Sequence, residues 1–80
     1  MARYFFHSQT DSRLTDTEGL DCVTPLAARR EAIRLGGEML KDSPEPFWGS
    51  RPWSVTVTNE AGLILWEIHM DGIEAPGAPK

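Results

Sequence analysis

The chain lacks an excess of positive charge, a pair of cysteines and any long hydrophobic run. Eight basic and twelve acidic side chains give a net charge of −4, which opposes non-specific attraction to nucleic-acid phosphates. The single cysteine, Cys22, excludes an internal disulfide and is typical of a reducing compartment. No apolar run approaches the roughly 18 residues of a membrane span, and the N-terminus lacks the apolar core of a signal peptide. We therefore expect a cytoplasmic protein that binds no membrane.

Motifs that carry chemistry are also missing. No metal-ligand spacing such as H-x-x-x-H, no nucleophile elbow and no phosphate-binding glycine loop is present. His7 and His69 can share an outward sheet face with Glu67 nearby, but we expect surface histidines, or a hydrogen-bonded structural role for His7. Cys22 is expected to be a small structural residue, since nothing indicates a lowered thiol pKa. We predict no cofactor, no metal and no catalysis.

The length of 80 residues fits one small domain, which we place at 1–70, followed by a mobile tail at 71–80. Such a chain buries only about 60–65% of its unfolded surface, so a partner subunit would help its stability. The aromatic run RYFFHS at 3–8 predicts a strand, and residues 20–23 predict a short second strand. The polar segment between them, 9–19, is typical of a loop or a long hairpin connection.

Residues 24–41 give the clearest helix. Thr24 is a good N-cap, and Pro25 follows at the first helical position. One broad side is apolar: Ala28, Ala32, Ile33, Leu35, Gly36, Met39 and Leu40, with Leu26 at its edge. We expect Gly36 and Gly37 to pack closely against a sheet, with a kink as the alternative. The proline-rich connection 42–52 carries Phe47 and Trp48, either as a lid on the core or as an exposed partner anchor.

Residues 53–70 predict a hairpin around the turn Asn59-Glu60-Ala61-Gly62. A three-residue loop with a glycine bulge would mix polar and apolar side chains on both faces. A four-residue loop instead pairs Val57 with Ile64, Val55 with Trp66 and Trp53 with Ile68. We predict this second register because it gives one wholly apolar face towards the helix.

The other sheet face is polar along the first arm but keeps Leu63 and Leu65 on the second. We predict that Tyr4 and Phe6 point inward, which leaves the alternate residues of the first strand on this outer face. A partner-binding surface is therefore hypothesised on the outer face and on the aromatic connection: Phe5, His7, Leu63, Leu65, Glu67, His69, Phe47 and Trp48.

Four stretches follow one another along the chain: the opening RYFFH, the acidic turn DTEG at 16–19, the helix TPLAARREAIRLGGEML and the hairpin VTNEAGLIL. Together they resemble a family of short bacterial proteins of unknown function. Its members open R-Y-[YF]-F-H and carry a D-x-E-G turn, an Ala- and Arg-rich helix and a V-x-D-E-x-G hairpin. This chain differs by Asn59, where Asp is usual, by Gly36-Gly37 and by its aromatic loop. The resemblance implies a ββαββ layout and supplies no catalytic residue.

The expected fold is α+β in two layers: an antiparallel sheet of three to four strands, in the order β-β-α-β-β, packed on one face by a single helix. The expected function is a protein-interaction or self-associating module without catalysis, either with a protein partner or as a homo-oligomer. The alternative is a single-stranded nucleic-acid-binding module that uses sheet aromatics, although the net charge opposes it. A more remote alternative is a metal-binding protein that uses His7 and His69.

Overall fold

In the part of the chain that the structure describes, five antiparallel strands form one sheet, and a long helix covers one of its faces. The computed structural model describes residues 2–49 and 52–79. Residues 1, 50, 51 and 80, which belong to the predicted domain, connection and tail, lie outside the described residues. The elements are β1 (Ala2–Gln9), β2 (Arg13–Leu14), β3 (Leu20–Cys22), α1 (Pro25–Asp42), α2 (Pro44–Trp48), β4 (Trp53–Thr58) and β5 (Ile64–Met70). The predicted α+β class and β-β-α-β-β order are confirmed. The additional strand is β2, which lies inside the segment predicted as a loop or long connection.

Strand β1 is central, and β2 and β3 share one of its edges. Ser8 pairs with Leu14 of β2, and Tyr4 pairs with Leu20 of β3. Between those pairs, residues 5–7 of β1 face the longer segment 15–19, which therefore bulges out of the ladder. Strand β4 pairs along the opposite edge of β1, and β5 pairs with β4, so β5 forms the far edge of the sheet.

The core lies between the sheet and one stripe of α1. Tyr4 is buried and Phe6 packs against the core, which confirms the predicted inward face of β1. The stripe of α1 that meets the sheet consists of small residues spaced four apart: Ala28, Ala32 and Gly36. Because these side chains are small, the helix can lie close to the buried Val55 and Val57 of β4.

Helix α1 begins as the sequence predicts, with the Thr24 hydroxyl accepting a hydrogen bond from the Ala27 amide at 3.1 Å. It continues through both glycines to Asp42. A Cβ at Gly36 would lie 3.4 Å from the Met70 sulfur, whereas a Cβ at Gly37 would meet nothing within 4 Å. Close packing against the sheet therefore accounts for the glycine at position 36 but not for the one at position 37. Ile33, which belongs to the broad apolar side of the helix, is not buried, since 66% of this residue is exposed.

The β4–β5 hairpin closes with a shorter loop than predicted. The Gly62 amide donates to the Asn59 carbonyl (3.0 Å), and the Asn59 amide donates to the Leu63 carbonyl (3.1 Å), so the loop consists of residues 60–62. The side-chain oxygen of Asn59 also accepts from the Ala61 and Leu63 amides. Gly62 has φ +84°, the left-handed conformation of a glycine bulge. The predicted four-residue loop is therefore wrong.

A second bulge, at Leu65, restores the apolar face that this shorter loop would otherwise break. Thr58 lies opposite Ile64, yet its neighbour Val57 lies opposite Trp66, so Leu65 has no cross-strand partner. From Val57 back to Trp53, each β4 residue therefore lies opposite a β5 residue two positions later than predicted.

The core face of the hairpin consequently keeps most of its predicted members. Val55 faces Ile68, and Trp53 faces Met70. Met70 packs against the core, whereas Ile64, predicted to be part of it, is exposed. The inward direction of Trp53, Val55, Val57, Trp66 and Ile68 was predicted correctly, but the pairing along this face was not.

The connection after α1 contains the short helix α2, which the sequence analysis missed. Pro44 occupies an early helical position, where its missing N–H breaks no hydrogen bond. The Phe47 ring packs edge-on against buried Trp53, with ring centroids 5.3 Å apart, so Phe47 does close the core. Trp48 is exposed, and Gly72 of the irregular C-terminal segment lies directly against both aromatic rings of α2.

The two adjacent glycines of α1 give a matched test of helix packing. We expect Gly36→Leu to lower the free energy of unfolding by about 1–3 kcal/mol, because the new side chain meets Met70 and Val55. We expect Gly37→Leu to raise it by about 0.5–1 kcal/mol, because leucine favours helix and the site is open. Urea unfolding followed by tryptophan fluorescence measures both. Equal effects at the two positions would contradict the packing described for Gly36.

Candidate interaction surface

The outer face of the sheet at β1 is occupied by the protein's own turn at residues 16–19. One carboxylate oxygen of Asp16 accepts from the Phe6 amide at 3.1 Å, and the other accepts from the Glu18 and Gly19 amides at 3.0 Å. Gly19 has φ +74°, and a Cβ there would lie 2.9 Å from the Phe5 ring. The turn therefore needs glycine at this position, and it packs down onto the strand.

His7 fastens the same turn from the sheet side. Its Nδ1 lies 3.1 Å from the Asp16 amide nitrogen and accepts that hydrogen bond, so Nε2 carries the ring proton and donates to the Thr58 hydroxyl at 3.0 Å. Both ring nitrogens are thus engaged within the fold, as expected of a structural histidine. His69 instead pairs with its strand neighbour Glu67 at 2.9 Å.

Arg3 completes this network at the base of the turn. Its guanidinium donates to the carbonyl of Glu18 and forms an ion pair with Asp21 at 3.0 Å. The strand RYFFH and the turn DTEG therefore form one hydrogen-bonded unit. As a consequence, Phe5 and His7, which we predicted to contact a partner, are half-buried under the turn and are not a free binding surface.

The electrostatics of Asp16 follow from its donors. Burial by itself would raise the pKa of this carboxyl group, but the hydrogen bonds from the Gly19, Phe6 and Glu18 amides outweigh it. The net result is a lowered pKa, so Asp16 stays ionised as the acceptor of three amides.

The remaining residues of the predicted outer patch do not form a continuous surface. Leu65 is half-buried and packs against the core from its bulge, so its predicted outward position is wrong. Leu63 is exposed at the end of the hairpin loop. Glu67 and His69 are also exposed, and their side chains form a hydrogen bond with each other. Among the predicted partner residues of the connection, Trp48 is exposed and Phe47 is half-buried.

A different apolar surface lies between the start of α1 and strand β5. This groove, with a volume of about 360 Å³, is formed by two elements: Leu26, Arg29, Arg30, Ala32 and Ile33 from α1, and Trp66, Glu67 and Ile68 from β5. Leu26 is 52% exposed, and Trp66 and Ile68 are half-buried, because α1 does not fully cover the edge strand. We call it the α1–β5 groove.

Sequence reasoning missed this groove because it grouped the apolar helix residues on one broad side and did not divide that side into a covered and an uncovered part. The available signal was the width of that side, which extends well beyond the Ala28, Ala32 and Gly36 stripe. Arg29 interrupts the wide apolar side in the sequence, and in the structure it marks the flank where α1 leaves the sheet.

Cys22 lies in the core with 5% of its surface exposed. Burial, together with the carboxylates of Glu31 and Asp21, raises the pKa of its thiol. A protonated, enclosed thiol is a poor nucleophile, so this site does not favour covalent chemistry.

Comparison with known proteins gives one family. Residues 3–71 match the sequence model of a family described as "Domain of unknown function (DUF6894)". The chain belongs to this family. No curated protein and no solved structure matches the chain.

The DUF6894 domain lacks two features within the residues that the structure describes. Within residues 2–49 and 52–79, no three His, Cys, Asp or Glu side chains come together as metal ligands. Across the same ranges, neither helix is long and apolar enough to cross a membrane.

The turn network makes Asp16 a determinant of stability. We expect Asp16→Asn to lower the free energy of unfolding by about 1–3 kcal/mol, because an amide cannot accept all three N–H groups with both of its side-chain atoms. Asp71→Asn, an exposed acid in the irregular C-terminal segment, is the matched control and should change little. Urea midpoints at pH 7 compare the two, and identical midpoints would contradict the network.

The same carboxylate predicts a pH dependence. Because the folded-state pKa of Asp16 is lowered, its contribution is fully present above the unfolded value of about 4 and is lost as pH falls through the folded value. Wild type should therefore lose more stability between about pH 4 and pH 2 than Asp16→Asn does. Thermal unfolding across that range measures the difference, and parallel curves would contradict it.

Burial of Cys22 predicts that its thiol reacts slowly in the native protein. We expect Ellman's reagent to modify the native protein at least about tenfold more slowly than the urea-unfolded protein, which serves as its own control. Equal rates before and after unfolding would show that Cys22 is accessible in the native state.

Proposed function

We propose that this chain is a protein-interaction module without catalytic activity, and that it binds through the free edge of β5 together with the α1–β5 groove. The observation that carries the proposal is the incomplete cover of β5. Strand β5 is the last strand of the sheet. Its inward side chains Trp66 and Ile68 are only half-buried, and Leu26 and Ile33 of α1 are exposed beside them.

An edge strand supports binding because its outer backbone N–H and C=O groups have no neighbouring strand. Strand β5 has seven residues, ILWEIHM, and contains no lysine or proline of the kind that commonly protects edges. Its bulge at Leu65 lies near the hairpin end, which leaves the stretch from Trp66 to Met70 regular. An extended segment can add to this stretch as a further strand.

The absence of catalysis is part of the proposal. His7 and Asp16 are engaged in the turn network, and the Cys22 thiol is buried with a raised pKa. The nucleic-acid alternative gains no support, because Phe5 lies under the turn and offers no open ring for stacking. We also propose a cytoplasmic location, which a buried, unpaired cysteine supports.

Site-specific photo-crosslinking in the producing cells tests this function. A benzophenone amino acid at Ile33, in the groove, should give a defined crosslinked protein adduct. The matched control is Leu14, which is similarly apolar and exposed but lies on β2, at the opposite edge of the sheet. Adducts at Ile33 and not at Leu14 support the proposal, while no adduct at Ile33, or equal adducts at both, would overturn it.

A further inference from the structure

We infer that the α1–β5 groove takes an acidic, extended segment of another protein, whose groove-facing side chains alternate between apolar and carboxylate groups. This inference rests on the proposed function and names the chemistry of the partner. It follows from the free backbone of β5, the apolar lining of the groove and the charges on its helical wall.

The backbone of β5 selects an extended partner. A segment that adds beside Trp66–Met70 hydrogen-bonds to the edge and directs alternate side chains towards α1. Those side chains enter a groove of about 360 Å³ whose lining includes Leu26, Ile33, Trp66 and Ile68. An apolar side chain there would cover surface that the fold leaves half-exposed.

The helical wall of the groove selects the charge. Arg29 and Arg30 are exposed on it, and neither side chain has an ion-pair or hydrogen-bond partner within residues 2–49 and 52–79. Arg3 and Arg34, by contrast, pair with acidic side chains of the fold. Glu67 is the one acid among the lining residues, and it pairs with His69. The groove is therefore locally positive on a chain whose net charge is −4.

This charge distribution disfavours a second copy as the occupant. Two chains joined symmetrically at their β5 edges form one continuous sheet with both α1 helices on the same face. The joint would bring the unpaired Arg29 and Arg30 of one chain towards those of the other, with no unpaired lining acid between them. Like charges oppose such a contact, whereas carboxylates of a different protein complement it.

A labelled peptide tests the inference directly. The probe is fluorescein-ETITETITE, in which every second residue is Glu or Ile and the intervening threonines favour a strand. We expect it to bind the full chain in anisotropy titrations, and KTITKTITK to bind at least about tenfold more weakly. Binding of the acidic probe should fall several-fold between 50 and 300 mM salt, since the arginine contacts are exposed.

Three variants locate the binding. Ile33→Asn should abolish binding of the acidic probe, and because Ile33 is largely exposed the variant should keep the fold. Arg29→Gln combined with Arg30→Gln should weaken binding about 3- to 10-fold. Arg13→Gln, an exposed arginine at the opposite sheet edge, is the matched control and should leave binding unchanged. Circular dichroism checks the fold of each variant.

The outcomes separate this inference from the proposed function. Equal binding of acidic and basic probes, or no effect of the double arginine variant, overturns the acidic partner but keeps a protein-binding groove. Self-association that Ile33→Asn abolishes, with no peptide bound, also overturns the inference and keeps the interaction module. Failure of every peptide, together with no Ile33 crosslink, overturns both.

Discussion

The carboxylate of Asp16 fixes the point on which the rest of the chain path depends. By accepting from the Phe6, Glu18 and Gly19 amides, it holds the bulged segment between β2 and β3 against the edge of β1. Strand β3 can then resume pairing with the start of β1, and two residues later the chain enters α1 at Thr24. The chain therefore enters α1 from β3, on the edge of β1 opposite to β4 and β5.

The small residues of α1 determine what that helix covers. Ala28, Ala32 and Gly36 allow it to approach β4, and Gly36 faces Met70 at the end of β5. Small side chains bring the helix close to the sheet, but they contact only a narrow strip of it. The flank with Leu26 and Ile33 consequently extends past the sheet contact, and the α1–β5 groove is the space beneath it.

The sequence predicts faces better than it predicts pairings, and the hairpin shows why. Alternation identifies which side chains of 53–58 and 66–68 point inward, because burial acts on each strand separately. The register depends on the glycine bulge at Gly62 and the bulge at Leu65, which together shift the partners by two positions and leave the faces unchanged. Two compensating insertions leave no trace in the hydrophobic pattern.

The structure places several residues of the predicted outer patch differently, for a related reason. Residues 9–19 have the composition of a loop, and composition does not say that a loop folds back onto Phe5 and His7. In the same way, the helical wheel gives the apolar width of α1 but not the width of its contact, so it does not show that Ile33 lies outside that contact. Both points concern which surfaces meet in three dimensions, which local patterns do not specify.

Occupation of the groove would also act on the stability of the domain. A chain of this size has a small core, and in the free state Trp66 and Ile68 contribute to it only in part. A partner that binds the folded state alone stabilises it in proportion to the logarithm of its concentration over the dissociation constant. Because β5 is both the edge strand and one wall of the groove, the element that gains most from a partner is the one that would bind it.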